Sequence, residues 1–375
     1  MPVGLRDVLP PDAAFEAKVI ESLVGFFTAN GYDLVSPPLI EFEETLLSGS
    51  GATTAAQVFR LMDPVSQRMM GVRADMTPQV ARIAVTRLVN APRPLRLGYA
   101  GPVLRVKGTQ LRPERQSIQA GVELIGSAQP HADAEVALLI AEALAELGVT
   151  GVSVDLNLPT LVPTVLADLD VKQEKAERLR RALDHKDTTA IAAEEGRTAY
   201  LLGALVAASG PADRAVDALA RLDLPPAAAA ERDILTRVVE LIRAGASDLT
   251  VTVDPVEHRG FEYHAGVSFA VFARGAQSEL GRGGRYRVGN TIGEPAVGAT
   301  LFVDAVLEVL ERPDRPLVRL LLPVGTARAT ARAWQAAGWV TVTALDPGED
   351  VMAATRRLGC SHVLIEGSLV VAGGG

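Results

Sequence analysis

The chain has one cysteine, Cys360, in 375 residues. A single thiol builds neither a disulfide framework nor a cysteine-based zinc cluster, and it suits a reducing cytoplasm. Basic residues are in the minority, with 37 Lys and Arg against 45 Asp and Glu, a net charge of −8. The isoelectric point is about 5.3. Nucleic-acid backbones are bound through clustered Lys and Arg, so an acidic chain is a poor generic nucleic-acid binder unless it carries a local basic patch. No stretch of apolar residues long enough to span a bilayer runs free of charges or breakers. The first residues, "MPVGLRDVLPPDAAFEAKV", place Arg6, Asp7 and prolines where a signal peptide needs an unbroken apolar region. Chemical motifs are missing too: there is no Walker sequence, no GxGxxG after a strand, no His-Glu-x-x-His and no nucleophile elbow. The five histidines, His131, His185, His258, His264 and His362, are scattered without metal-ligand spacing, and packing or surface roles are the default for most of them.

Apolar material is plentiful. Hydrophobic residues make up 48% of the chain, mostly Ala, Val and Leu, with aromatics only 4%, and mean hydropathy is +0.20. The length calls for two or three domains. Residues 13–30 carry Phe15, Val19, Ile20, Leu23, Val24 and Phe27 at helical spacing. "VFRLMDPVSQRMMGVRADMTP" reads as a hairpin turning at Asp63-Pro64. A helix follows, with Thr77 as N-cap and Pro78 at its first position. "DAEVALLIAEALAELGV" is an amphipathic helix stopped by Gly148, and "GVSVDLNLP" alternates as a half-buried strand. From 163 to 247 alanine dominates and helical spacing takes over, broken at Gly210-Pro211 and Pro225-Pro226. Strand signals return at "DLTVTVDP" and "GVSFAVFARG". "LGRGGRY" reads as a glycine-rich turn: no Lys-Ser, Lys-Thr or helix start follows it, as a phosphate loop requires. After a linker at 312–316, residues 316–375 form a small α/β unit. Short connections and irregularly placed helices make the main sheet largely antiparallel and the fold α+β.

One stretch carries chemistry. "YAGPVLRVKGTQLRPERQSIQAGVELIG", residues 99–126, reads as strand, charged loop, strand, with Arg105 closing the first strand and Gln119 and Glu123 on the second. An arginine beside a carboxylate suits an anionic group held next to a cationic one. Blander readings stand beside this. Asp75 is equally a surface residue before a helix, Glu123 the partner of Arg105 or Arg115 in a cross-strand ion pair, and Arg259 the anchor of a loop.

Three segments together resemble one family. "PVGLRDVLP", "GPVLR…RQSIQAGVELIG" and "HRGFEYHAGVSF…LGRGGRY…PAVG" are similar, in order and spacing, to the catalytic domain of class II histidyl-tRNA synthetases. The resemblance covers residues 1–162 and 248–312 as one core, with 163–247 a helical insertion and 316–375 a truncated counterpart of the anticodon domain. It implies an antiparallel sheet flanked by helices, dimerised through the first motif near residues 31–47. It also implies a pocket for an amino acid. Asp75 and Thr77 stand at the ammonium position, Gln119 and Glu123 keep the family spacing, Arg259 stands at the carboxylate position, and Tyr263 follows it. His264 replaces a tyrosine of the imidazole pocket. Arg105 keeps the position that holds the α-phosphate of ATP.

Other positions depart from that family. Lys107 stands where the synthetases have a glutamate, Ser117 replaces the phenylalanine under the adenine ring, and "AVGATLFVDAVLEVL" offers Asp304, Ala305 and Val306 where an arginine closes over it. Base stacking on an aromatic ring is worth about 1–3 kcal/mol, and a cation over the ring system about 0.5–2 more. A synthetase-like chain without this clamp and without a full anticodon domain resembles the regulatory subunits of ATP phosphoribosyltransferase, and "LDHKD" at 183–187 is similar to that group too. That resemblance implies a cytoplasmic, non-catalytic subunit without a cofactor. It would assemble with a short-form catalytic subunit and with itself, take histidine as feedback effector at Asp75, Thr77, Arg105, Gln119, Glu123, Arg259, Tyr263 and His264, and bind neither tRNA nor membrane. Two alternatives stay open. One is a divergent amino-acid-activating ligase, which needs ATP, Mg²⁺ and a replacement clamp from Arg282 or Arg285. The other is a dimeric scaffold with a dead pocket.

Overall fold

The computed structural model describes residues 1–108, 112–185, 187–257, 264–289, 293–312 and 318–372. The chain divides into two compact units, Met1–Leu310 and Glu311–Gly375.

The first unit opens with α1 (Asp12–Ala29), β1 (Asp33–Leu34) and β2 (Ile40–Phe42). A helical turn, α2 (Glu43–Leu46), leads to the expected hairpin of β3 (Phe59–Met62) and β4 (Met69–Val72). Helix α3 (Thr77–Thr86) precedes the long pair β5 (Leu95–Leu104) and β6 (Gln116–Ile125), then α4 (Pro130–Glu146) and β7 (Ser153–Asn157). The alanine-rich segment forms α5 (Leu161–Asp168), α6 (Gln173–Asp184), α7 (Thr188–Ala192), α8 (Gly196–Ala207), α9 (Ala212–Ala220) and α10 (Pro226–Gly245). The break at Gly210-Pro211 is a two-residue strand, β8, paired with β9 (Thr250–Asp254). Strands β10 (Ser268–Phe272), β11 (Gly281–Val288) and β12 (Glu294–Phe302) and helix α11 (Val303–Val309) complete the unit.

Among the described residues the central sheet runs β1-β5-β6-β12-β11-β10-β7-β9-β8. Only the pairs β1–β5 and β7–β9 are parallel. Each strand of the middle presents two different faces. Ala120, Val122 and Leu124 of β6, Val297, Ala299 and Leu301 of β12, and Val154 and Leu156 of β7 enter the main core against α1, α4 and the alanine-rich helices. Tyr99, Ile125, Tyr286 and Ala296 face the other way, into a smaller core under Met76, Val80 and Ala84 at α3. This second face carries the polar residues of interest.

Two local expectations change. "LGRGGRY" is not a turn but most of strand β11, two strands from β6 in the sheet. Its glycines are there for close approach. A side chain at Gly283 would strike the carbonyl of Gly298, and at Gly281 a Cβ would come 2.6 Å from the carbonyl of Thr300. Thr77 is not the N-cap of α3 but its first residue; Asp75 instead caps the turn, its Oδ1 accepting the Thr77 amide at 2.8 Å.

The second unit is a four-stranded sheet, β14 (Val340–Thr343), β13 (Arg319–Leu322), β15 (His362–Ile365) and β16 (Ser368–Val371), in that spatial order. Helices α12 (Arg328–Ala336) and α13 (Val351–Arg357) connect the parallel strands β13, β14 and β15. The two tryptophans of the chain meet edge to face here, with ring centroids 6.0 Å apart.

Candidate binding site

The site grows from the pairing of β5 with β6. Tyr99 lies opposite Gly121, and a Cβ on Gly121 would come 2.5 Å from the Tyr99 hydroxyl. The missing side chain is what lets the phenol lie across β6. Its oxygen then meets three groups: Thr77 Oγ1 at 3.2 Å, Thr300 Oγ1 at 2.7 Å and Glu123 Oε1 at 3.3 Å. From β11, the Tyr286 hydroxyl donates to Glu123 Oε2 at 2.7 Å. Between them stands Gly298, where any Cβ would overlap that same carboxylate oxygen. Two glycines and two tyrosines therefore fix one carboxyl group.

Glu123 is buried, with 1% of its surface exposed. Burial pushes its pKa up to about 8, with the Asp75 charge adding to the rise and hydrogen bonds from Tyr286, Thr77 and Tyr99 opposing it. At neutral pH this carboxyl is largely protonated. A cationic ligand beside it would favour the carboxylate. Tyr99 is fully buried, and burial together with the Glu123 and Asp75 charges holds its phenol well above the usual range.

The structure brings Asp75, Thr77, Gln119 and Glu123 together. Gln119, buried on β6, accepts the Met76 amide through Oε1 at 2.9 Å, which locks the entry to α3 onto the sheet. His264 is buried against β11. Its Cδ2 lies 2.6 Å from where a Gly284 Cβ would stand. Arg259 and Tyr263 fall outside the described residues. The alternative of an ion pair between Glu123 and Arg105 or Arg115 is not realised, because Glu123 turns to the two tyrosines. Tyr99, Tyr286 and Thr300 are functional candidates that sequence reasoning missed. Tyr286 lies in the stretch read as a turn, and Tyr99 reaches the group only through sheet pairing.

Arg105 belongs to a neighbouring cavity of about 440 Å³, whose lining includes Lys107, Arg112, Ser117, Phe302 and Asp304. Its Nε donates to the Ala74 carbonyl at 3.3 Å, next to Asp75, so the two spaces adjoin. The lining carries charges of both signs. The Arg112 guanidinium lies 4.0 Å over the Phe302 ring, and Asp304 Oδ2 accepts the Ile118 amide at 3.0 Å. The replacement clamp weighed from sequence does not come from Arg285, which faces the main core and pairs with buried Asp133, its Nε 3.0 Å from Oδ1. Arg282 is bonded to Glu279, its Nε 3.1 Å from Oε1.

The antiparallel sheet, the arginine at the end of β5 and the Gln119–Glu123 pair on β6 define a class II histidyl-tRNA synthetase-like protein. Residues 4–306 match the histidyl-tRNA synthetase family model. The sequence is 63% identical over 364 residues to the ATP phosphoribosyltransferase regulatory subunit of Paramagnetospirillum magneticum, covering 97% of this chain and 95% of that relative. Within the class, the chain thus belongs to the family of ATP phosphoribosyltransferase regulatory subunits. A Bacillus halodurans structure described as an ATP phosphoribosyltransferase regulatory subunit/histidyl-tRNA synthetase superposes with a TM-score of 0.82 at 25% identity, covering 95% of each chain. A chain of the ATP phosphoribosyl transferase (HisG:HisZ) complex from Thermotoga maritima shares the fold, with a TM-score of 0.60 at 18% identity over 77% of this chain and 97% of that one. Among the described residues no helix is long and apolar enough to cross a membrane.

Proposed function

We propose that this protein is a non-catalytic regulatory subunit of ATP phosphoribosyltransferase. It assembles with a short-form catalytic subunit and with a second copy of itself, supports the first step of histidine biosynthesis in the cytoplasm, and transmits inhibition by histidine. The observation that carries the reading is a contrast between adjoining spaces. The amino-acid pocket keeps a fully formed network around Glu123. The cavity beside it has Lys107, Ser117 and Asp304 where the synthetases hold their nucleotide. A pocket suited to an amino acid, beside a cavity whose lining lacks a ring to stack a nucleotide base at residue 117, suits a sensor. Family membership at 63% identity supports the same reading.

In this reading Asp75, Thr77, Gln119 and Glu123, with Arg259, Tyr263 and His264, bind the effector, and Arg105 is a second anion contact. Effector binding shifts the complex toward an inhibited state by about 1–3 kcal/mol of coupling. The test is phosphoribosyl-ATP formation by the short-form catalytic subunit, with and without this protein, across a histidine titration. Activation that histidine reverses is expected. No effect with a cognate partner would overturn the reading.

A further inference from the structure

The row of paired residues that crosses the sheet at Glu123 continues beyond the site described above. Glu123 pairs with Gly298, Gly298 with Gly284, Gly284 with Ser268 and Ser268 with Asn157. Directly paired residues on neighbouring strands turn their side chains to the same face. The row therefore lies on the face of Tyr99 and Tyr286 and spans roughly 19 Å, four strand spacings. Its two glycines contribute no side chain. The Glu123 carboxyl occupies the space over Gly298 and the His264 ring adjoins Gly284. The result is a continuous polar strip of carboxyl, imidazole, hydroxyl and amide, set into a sheet whose opposite face is apolar core.

The inner half of the strip is fully buried, with Ser268 at 0% and Asn157 at 1% exposure. Asn157 Nδ2 donates to the Asp155 carbonyl at 3.3 Å. Its Oδ1 and the Ser268 Oγ have no hydrogen-bond partner among the described residues. Burial strips water from such groups, and folded chains rarely leave them so. Two of them side by side, on directly paired residues and continuous with Glu123, mark a place for a donor from outside.

We propose that Ser268 and Asn157 are specificity-determining residues of the effector pocket. They form its inner end and accept a hydrogen bond from an N–H group on the side chain of the bound amino acid. The inference rests on the reading of this pocket as an amino-acid effector site. A ring N–H satisfies the pair. A side chain without a donor leaves both acceptors desolvated and unpaired, the arrangement by which polar pockets reject close analogues.

The test is calorimetric titration of the full chain, assembled with its short-form catalytic subunit, with histidine and with 3-(2-thienyl)alanine, whose ring carries no N–H. The unaltered chain should prefer histidine. Ser268→Ala and Asn157→Ala should weaken histidine by about tenfold and leave the thienyl analogue unchanged, so that selectivity falls. Ser268→Ala breaks no described bond and should not lower the melting temperature of the unliganded protein. Should it fail to fold, Ser268→Cys, close to isosteric and a poor acceptor, makes the same comparison. Unchanged histidine affinity and selectivity in these variants, as for a pair that holds only a buried water, overturns the inference and leaves the effector reading standing. An unaltered complex that binds no histidine overturns the effector reading, and this inference with it.

Discussion

Tyr286 on β11 donates its hydroxyl proton to Glu123 on β6 at 2.7 Å, across the intervening strand β12, and the contact exists because residue 298 between them is glycine. Tyr286→Phe removes one donor and keeps the ring. Leaving that carboxyl oxygen buried and unpaired costs about 1–3 kcal/mol. Urea denaturation should show a loss of that size. Histidine inhibition should weaken in the same variant, because the carboxyl is no longer aimed.

Gly298 provides a complementary test. A methyl group there overlaps Glu123 Oε2, so Gly298→Ala must displace the carboxyl. Overpacking of this kind costs about 1–3 kcal/mol. The phosphoribosyl-ATP assay should show histidine inhibition blunted at least as much as in Glu123→Ala. A Gly298→Ala complex that responds to histidine like the unaltered one would mean that the carboxyl is not part of the effector contact.

If Glu123 contacts the effector, as proposed, its protonation makes binding pH-dependent. In the unliganded protein burial pushes its pKa up to about 8, against an ordinary value of 4.5. Between those values the folded chain holds a proton that the unfolded chain has released. Stability from this group is therefore fully present below about pH 4.5 and is lost as pH rises toward 8, by up to about 5 kcal/mol. A ligand that ionises Glu123 expels that proton. Titration of histidine at pH 7 in buffers of different ionisation enthalpy should show close to one proton released. Glu123→Gln should abolish the release and flatten the stability profile between pH 4.5 and 8. Proton release unchanged in Glu123→Gln would assign it to another group.

Much of this site is legible in the sequence. The apolar runs on either side of Arg105 gave β5 and β6, and period-2 spacing placed Gln119 and Glu123 on one face of β6. Helices α1 and α4 followed from their apolar spacing and glycine stops. What sequence concealed was pairing between strands distant in the chain. Tyr99, Tyr286 and Thr300 lie on three different strands, up to 201 positions apart, and no local pattern joins them. Strand β11 was hidden for another reason. Its glycines lower strand propensity locally, yet they are the condition for the Phe269 and His264 rings to pack against it. Asn157 alternates as an outward residue of a half-buried strand, but the face it occupies is covered.

Arg285 and Asp133 tie β11 to α4 on the apolar side of the sheet. Asp133 is 1% exposed, and the arginine also donates to the Ser127 carbonyl at 2.8 Å. Removing one partner of a buried pair leaves the other charge without compensation, at about 3–5 kcal/mol. Asp133→Ala should lower stability by that amount in chemical denaturation. Because Arg285 faces away from Glu123, the histidine response of the folded fraction should be retained.

The cavity at Arg105 decides between sensor and ligase. An adenylating enzyme needs its nucleotide held at the base as well as at the phosphates. Arg105 remains for the phosphates, but Ser117 offers no ring face, and Asp304 spends Oδ2 on the Ile118 amide. Stacking and cation contacts together would be worth about 1.5–5 kcal/mol, which at tenfold per 1.4 kcal/mol is roughly ten- to several-thousandfold in ATP affinity. Histidine-dependent exchange of pyrophosphate into ATP should therefore stay at background. Ser117→Phe alone should not restore it, since helix α11 supplies no arginine to close the other side. Exchange at a synthetase's rate by the unaltered chain would return it to the ligases, and would require a base contact made by residues other than these.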